Sequence, residues 1–167
     1  GGVRCVRETE VCVIVTNCSN GHHGDASDAD DPRVRWRYDP AMAGVSGQFA
    51  DCGIRALHMA SFIAGDHVRK LSADFASTID SRTLEDDAMV NFRLEGGTVG
   101  RLWTSSVAIG RQHGFDIQVI GEVGGMRWAS EQPIQLYYTP VCGCTQIMEK
   151  GEGGLSDHSW RLPRDAD

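Results

Sequence analysis

The order in which helical and strand-like patterns follow one another along the chain constrains its fold most strongly. One apolar segment, GQFADCGIRALHMASFIAG (47–65), has helical composition and ends at Gly65, a residue suited to the left-handed conformation that stops a helix. The segments that follow alternate with period two, and turns such as EGG, RQHG and GEVGG separate them. One helix followed by a run of strands predicts an α+β fold, in which an open, mainly antiparallel sheet carries one main helix on one face.

The individual elements are predicted from β-branched and aromatic runs bounded by turn residues. A first strand is predicted over 3–15, then an extended approach over 36–47 and a helix from about Asp51 to Ala64. Further strands are predicted at 68–79, 88–97, 98–108, 115–121, 125–130 and 134–140.

The length of 167 residues suits one domain with its own core, which we expect over 1–149. Within it 17–33 is predicted to be a solvated acidic loop, and 150–167 an irregular tail. The net charge of −7 argues against a nucleic-acid or anionic-membrane partner, because such a surface would not neutralise phosphates. No apolar run approaches the roughly 18 residues that a membrane span needs.

Neither the cysteines nor the acidic loop has the spacing of a metal site. Cys142-Gly-Cys144 is not a CxxC pair, and the six cysteines come without a signal-peptide hydrophobic region, so we expect reduced thiols and a cytoplasmic location. The stretch HHGDASDADD (22–31) lacks the glycine and glutamate positions of an EF-hand loop. No metal site is predicted.

One polar stripe runs along the predicted helix. Asp51, Arg55, His58 and Phe62 fall within about 60° of one another on a helical wheel, and the rest of the wheel is apolar or small, which is typical of a buried helix. The stripe therefore faces a cleft, a partner domain or water. Two interpretations stay open: a functional cleft, or a helix start stabilised by an acidic residue and an i,i+4 salt bridge.

The segment WRYDPAMAGVSGQFADCGIRALHMASFIAG resembles the start of the C-terminal domain of the glucose–fructose oxidoreductase, inositol dehydrogenase and rhizopine-catabolism (Gfo/Idh/MocA) family. Members there tend to read W-R-x-D-P-x-x-A-G-x-S-G-x-x-x-D-x-G-x-H-A. The later EDDAMVNFRLEGGTVGRLWTSSVAIGRQHGFDIQVIGEVGGMRWASEQPIQLYYTP resembles the sheet of the same family. The resemblance covers roughly 36–157 in collinear order.

This resemblance implies two domains with different functions. An N-terminal Rossmann domain binds NAD or NADP, and the C-terminal domain supplies a substrate pocket and an open sheet for oligomerisation. The catalytic set of the family is a Lys from the first domain plus an Asp and a His four residues apart on this helix. Asp51 matches the Asp, whereas Arg55 occupies the His position. A guanidinium stays protonated, so Arg55 can orient a substrate oxygen but cannot act as a base; His58, one turn further on, is a candidate substitute.

Four other residues are candidates for substrate contact. Arg37 and Asp39 precede the helix on the side of the expected pocket, where Arg37 holds a substrate oxygen or simply pairs with Asp39. Arg111 and His113 lie at a strand turn, where His113 has the alternative interpretation of a turn residue.

The chain contains no G-x-G-x-x-G motif, no βαβ unit ahead of the first strand and no candidate for the family's Lys. We therefore expect that the isolated chain binds no cofactor and is inactive, which leaves its status as an enzyme undecided. The expected function is the substrate-binding and oligomerisation domain of an NAD(P)-dependent oxidoreductase acting on a sugar, polyol or related hydroxy compound. The expected partners are a small-molecule substrate, the missing nucleotide-binding domain and further copies of the chain. The alternative is a non-catalytic homo-oligomeric binding or assembly module, or a truncated relic of such an enzyme.

Overall fold

The computed structural model describes residues 10–18, 30–111 and 114–150. These ranges form an eight-stranded sheet with the strand order β2-β3-β4-β1-β5-β6-β7-β8. The strands are β1 Glu10–Cys18, β2 Val68–Ala76, β3 Asp87–Leu94, β4 Val99–Ser105, β5 Gly114–Gly121, β6 Gly124–Ala129, β7 Gln135–Pro140 and β8 Gln146–Glu149. Neighbouring strands are antiparallel except for β1 and β4, which are parallel. The predicted open, mainly antiparallel sheet is confirmed.

The helical part of the chain lies between β1 and β2. It consists of a 3-10 turn Arg35–Tyr38, helix α1 Pro40–Ala43, a π-helical turn Phe49–Gly53 and the main helix α2 Ile54–Ala64. Helix α2 packs on the sheet over β1. It ends at Gly65, whose φ of 64° and ψ of 30° are left-handed as predicted. Because one main helix covers one sheet face, the α+β class is confirmed.

The core lies between α2 and the face of the sheet beneath it. Helix α2 contributes Ala56, Leu57 and Ala60, and the small alanines let the helix backbone approach the strands closely. Burial of a side chain such as Leu57 contributes about 1.5–3 kcal/mol. The sheet side of the core comprises Val13, Val15, Val90, Phe92, Leu94, Leu102, Ile117 and Val119.

A glycine in β4 allows one of these core side chains to lie flat on the sheet. The ring of Phe92 in β3 crosses its neighbour Gly100, where an added Cβ would meet a ring atom at 2.0 Å. Any side chain at Gly100 would therefore displace Phe92 from the core.

Several local predictions were wrong. The approach over 36–47 is not extended, because Asp39 caps α1: its Oδ1 accepts a hydrogen bond from the Ala41 amide at 2.9 Å. Strand β1 continues to Cys18, two residues into the predicted acidic loop, because β4 and β5 pair with it on both sides. The helical segment begins before Asp51, and β8 was not predicted as a strand. Edge pairing with β7 makes β8 a strand.

Helix α2 is buried on the side that faces the sheet and exposed on the other side. Ile54 is 49% exposed and Phe62 is 74% exposed, because the sheet covers only one side of the helix. The described residues supply no second layer for the opposite side. No helix in these ranges is long and apolar enough to cross a bilayer.

Some predictions fall on residues outside the described ranges and stay predictions. They concern the start of the first strand, most of the acidic loop with His22 and His23, the candidate His113, and the tail after Lys150.

Candidate functional site

A cavity of about 240 Å³ lies where the helical segment begins, beside the end of the sheet. The 3-10 turn supplies Trp36 and Arg37 to its wall, and the π-helical turn supplies Asp51. Glu85 and Asp86, just before β3, close the opposite side. Elements far apart in sequence thus bring aromatic, cationic and acidic groups to one concave surface, which is the usual form of a small-ligand site.

Asp51 lies between two guanidinium groups. Arg37 Nη1 is 2.5 Å from Asp51 Oδ2, and Arg55 Nη2 is 3.1 Å from Asp51 Oδ1. Arg55 Nε also donates to the Asp51 carbonyl oxygen at 2.7 Å, so this guanidinium is anchored at both ends. The side chains are 36%, 42% and 66% exposed for Arg37, Asp51 and Arg55. Both carboxylate oxygens are engaged, while Arg55 remains largely open to solvent.

Glu85 fixes the loop that leads into the helical segment. Its Oε1 accepts hydrogen bonds from Ser46 Oγ at 2.6 Å, from the Gly47 amide at 2.9 Å and from the Phe49 amide at 3.1 Å. Amides at the start of a helical segment lack backbone partners, and a carboxylate there is favoured by the helix dipole. Glu85 therefore positions the turn that carries Asp51.

Sequence reasoning missed Glu85, although LEDDA places acidic residues directly before a predicted strand. The missing information was the contact itself, which joins residues 36 to 39 positions apart. The absence of a side chain at Gly47 also allows the loop to lie close to the backbone of Glu85. An added Cβ there would meet the Glu85 carbonyl oxygen at 2.7 Å.

A buried ion pair supports the back of the cavity. Arg82 Nη1 and Asp86 Oδ2 are 3.5 Å apart, and both side chains are only 2% exposed. Asp86 Oδ1 also accepts from the Thr78 amide at 2.8 Å and from Thr78 Oγ1 at 2.9 Å. The Arg82 guanidinium lies 4.5 Å from the centre of the Tyr38 ring. Since Tyr38 follows Arg37, this contact helps to hold Arg37 against Asp51.

The other predicted site residues lie outside this cluster. Asp39 caps α1, and Arg37 pairs with Asp51 rather than with Asp39. His58 is exposed on α2 and does not line the cavity. Arg111 lies close enough to Cys18, at the end of β1, for its charge to act on that thiol. His113 is outside the described residues.

Two thiols lie near the start of the helical segment, and neither is activated. Burial raises the pKa of the Cys18 thiol to about 11, and the nearby Arg111 charge offsets only part of this effect. Burial and the Asp51 carboxylate raise the pKa of Cys52. Both thiols are protonated at neutral pH, so they are poor nucleophiles. Within the described ranges, no three His, Cys, Asp or Glu side chains are grouped to hold a metal.

Comparisons with known proteins agree with the geometry. The family model described as GFO/IDH/MocA C-terminal domain matches residues 14–127. The uncharacterized oxidoreductase YfiI of Bacillus subtilis (strain 168) is 35% identical over 125 residues, which are 74% of this chain and 32% of YfiI.

Solved structures of an inositol dehydrogenase homologue from Azotobacter vinelandii share the fold. The complex with NAD⁺ matches at a TM-score of 0.87 and 29% identity, covering 94% of this chain and 41% of that one. The complex with NADH and myo-inositol matches at 0.81 and 27%, covering 94% and 39%.

The chain belongs to the GFO/IDH/MocA C-terminal domain family. It spans about a third of the length of YfiI and about two fifths of the inositol dehydrogenase homologue.

Proposed function

We propose that this chain is the substrate-binding and oligomerisation domain of an NAD(P)-dependent oxidoreductase acting on a sugar, polyol or related hydroxy compound. The observation that carries the proposal is the cavity at Asp51, in a domain of this family. A solved structure of similar fold was obtained as a complex with NADH and myo-inositol, which supports both the cofactor and the hydroxylated substrate class.

In this proposal the reaction is a hydride transfer between a substrate carbon and a nicotinamide held by a separate nucleotide-binding domain. The residues of this chain bind and orient the substrate. Asp51 holds a substrate oxygen in the cavity, and Arg37 fixes Asp51 from one side. Arg55, which does not line the cavity, pairs with Asp51 from outside it. Neither arginine is a proton acceptor. We place the acceptor for the substrate hydroxyl proton in the nucleotide-binding domain, because His58 does not line the cavity.

The test replaces Arg55 by the imidazole that the family resemblance implies. In the full-length polypeptide that carries this sequence, Arg55→His should raise NAD(P)-dependent turnover of polyols at least tenfold, the usual order for a positioned acid–base group. Arg33→His, at a side chain that is 87% exposed and does not line the cavity, is the matched control and should change nothing. Turnover that is equal in wild type, Arg55→His and the control would contradict a catalytic role for this position.

The second candidate is a non-catalytic homo-oligomeric binding or assembly module, or a truncated relic of such an enzyme. The double pairing of Asp51 favours it, since a carboxylate engaged by two guanidiniums serves equally well as a structural salt bridge. Under this candidate the Arg55→His protein stays inactive and still self-associates.

Two exposed surfaces support the proposed partners. The side of α2 away from the sheet exposes Ile54, Met59 and Phe62, which suits a nucleotide-binding domain packed against it. On the sheet face opposite α2, Met89 is 56% exposed in the middle of β3 and suits contact with a second copy. Sedimentation at tens of micromolar should show self-association that Met89→Glu weakens. A monodisperse wild-type monomer would contradict the sheet as an interface.

The remaining proposals concern the chain alone. We expect that the isolated chain does not bind NAD or NADP. Titrating either nucleotide into the chain and following its tryptophan fluorescence would test this. A reducing compartment such as the cytoplasm suits the five free cysteines of the described ranges: Cys12, Cys18, Cys52, Cys142 and Cys144.

A further inference from the structure

Strand β2 (Val68–Ala76) is the longer of the two sheet edges. Among the described strands it pairs with β3 alone, so the backbone groups on its other side meet no strand in this part of the chain. Every residue of β2 after Val68 is exposed. The opposite edge, β8, has only four residues. Natural proteins usually keep an edge strand short or cover it, because a long open edge pairs readily with a further strand.

Two opposite charges of β2 lie on the sheet face away from α2. Lys70 and Asp74 are both exposed and share that face, since alternate residues of a strand point the same way. Across the strand pair, Lys70 lies opposite Arg93 of β3, and Asp74 lies opposite Met89. Like charges directly opposite each other destabilise a sheet. Within the described ranges, neither Lys70 nor Asp74 takes part in an ion pair, so both charges are available to another molecule.

The other face of β2 is apolar. Leu71 is 51% exposed and Phe75 is 50% exposed on the side that carries α2. The Phe75 ring also contacts the Phe49 ring, with their centres 5.4 Å apart. Exposed apolar side chains beside an open strand edge are typical of an interaction surface.

The sequence of β2 is self-complementary for antiparallel pairing. When two copies of β2 run antiparallel with Ser72 opposite Ser72, Lys70 of each copy lies opposite Asp74 of the other. Because these three residues share one face, the pairing keeps α2 of both copies on the same side of the joined sheet. Registers that bring Lys70 opposite Lys70, or Asp74 opposite Asp74, place like charges across the strands. Charge therefore favours the register centred on Ser72.

We propose that β2 is an interface with a second copy of this chain, in which two β2 strands pair antiparallel about Ser72 and join their sheets edge to edge. The salt bridge between Lys70 and Asp74 forms twice, as two-fold symmetry requires. On the other face, Leu71 of each copy is a diagonal neighbour of Phe75 of the other, within reach of an aromatic ring. This contact differs from the proposed contact through the sheet face, and it goes beyond the proposed function because it does not depend on the substrate site.

The first test is charge reversal in the full-length polypeptide that carries this sequence, followed by sedimentation equilibrium. Lys70→Asp and Asp74→Lys should each weaken the association about tenfold or more, because both salt bridges become like-charge pairs. The double variant restores both pairs and should associate as the wild type does. Glu122→Lys, which makes the same kind of charge change at an exposed turn, should have no effect. Circular dichroism should show that all the variants fold, since the replaced side chains are exposed.

A cross-link tests the register. In the proposed pairing the Cα atoms of the two Ser72 residues lie about 4.5–5.5 Å apart, a separation that a disulfide spans. Mild oxidation of Ser72→Cys with diamide should therefore give a dimer linked through position 72, which mass spectrometry of its peptides identifies. Glu122→Cys, treated in the same way, should give no such dimer.

Each outcome supports or overturns the interface. Association that the single reversals leave unchanged, or that the double variant fails to restore, would overturn the contact through β2. A protein that associates but forms no cross-link through Ser72→Cys would overturn the proposed register, and a monomer at all concentrations would overturn the interface as a whole. The substrate site is tested separately, by turnover of Arg55→His.

Discussion

Arg37 Nη1 and Asp51 Oδ2 lie 2.5 Å apart although the two residues are 14 positions apart in sequence. This contact ties the 3-10 turn to the π-helical turn and closes one side of the candidate site. The i,i+4 pair of Asp51 and Arg55 is therefore part of a cluster of three charged side chains, since the second carboxylate oxygen is used by a residue outside the helix.

The Arg37–Asp51 contact should contribute little to stability. Both side chains are more than a third exposed, and exposed ion pairs typically contribute about 0.2–1 kcal/mol. A double-mutant cycle with Arg37→Gln and Asp51→Asn, measured by urea unfolding, should give a coupling within that range. The pair of Asp116 and Arg127, 2.6 Å apart on the sheet, is the matched comparison. A coupling energy above about 2 kcal/mol would show that the main role of the contact is to stabilise the fold.

Loss of the Glu85 side chain should be far more costly. Glu85→Ala leaves Ser46 Oγ and the amides of Gly47 and Phe49 without their acceptor, so we expect a loss of about 2–3 kcal/mol in the free energy of unfolding. Glu122→Ala, at an exposed turn position, should stay within about 0.5 kcal/mol. Chemical denaturation of the two variants measures the difference, and equal losses would contradict the positioning role of Glu85.

Truncation of two apolar residues of α2 should change the stability of the chain by very different amounts. Leu57→Ala opens a cavity in the core and should cost about 2–5 kcal/mol. Phe62→Ala, at a side chain 74% exposed, should change stability by less than about 0.5 kcal/mol while weakening the proposed contact with a nucleotide-binding domain. Thermal unfolding of the isolated chain tests the first part. A large loss of stability in Phe62→Ala would indicate that this face is covered within the chain itself.

The thiols should differ in reactivity. Burial raises the pKa of Cys18 to about 11, so iodoacetamide at pH 8 should modify it at least tenfold more slowly than the exposed Cys142 and Cys144. Time-resolved mass spectrometry of peptides measures each rate. Rapid modification of Cys18 in the folded chain would contradict its buried position at the end of β1.

The same shift predicts a dependence of stability on pH. The folded pKa of Cys18 exceeds its ordinary value of 9.0, so the neutral thiol stabilises the folded chain fully below pH 9, and this contribution is lost as the pH rises towards 11. Cys18→Ala should flatten this part of the profile. If the free energy of unfolding of Cys18→Ala falls between pH 9 and 11 as steeply as that of the wild type, the loss of stability comes from other groups.

The sequence by itself determined the class of fold and the family. Alternation in β3 to β5 and the Gly65 stop are local properties, set by side-chain spacing and backbone sterics, so they are readable without the structure. The helical spacing of Asp51 and Arg55 likewise predicted the pair that the structure contains.

The tertiary structure alone decided which residues surround Asp51. Arg37 was a candidate for pairing with Asp39, yet the cap of α1 engages Asp39 and leaves Arg37 to Asp51. Glu85 reaches its partners across more than 35 residues, and no local pattern encodes such a contact. The exposed side of α2 follows from the same cause, since burial depends on what packs against a helix as well as on its composition.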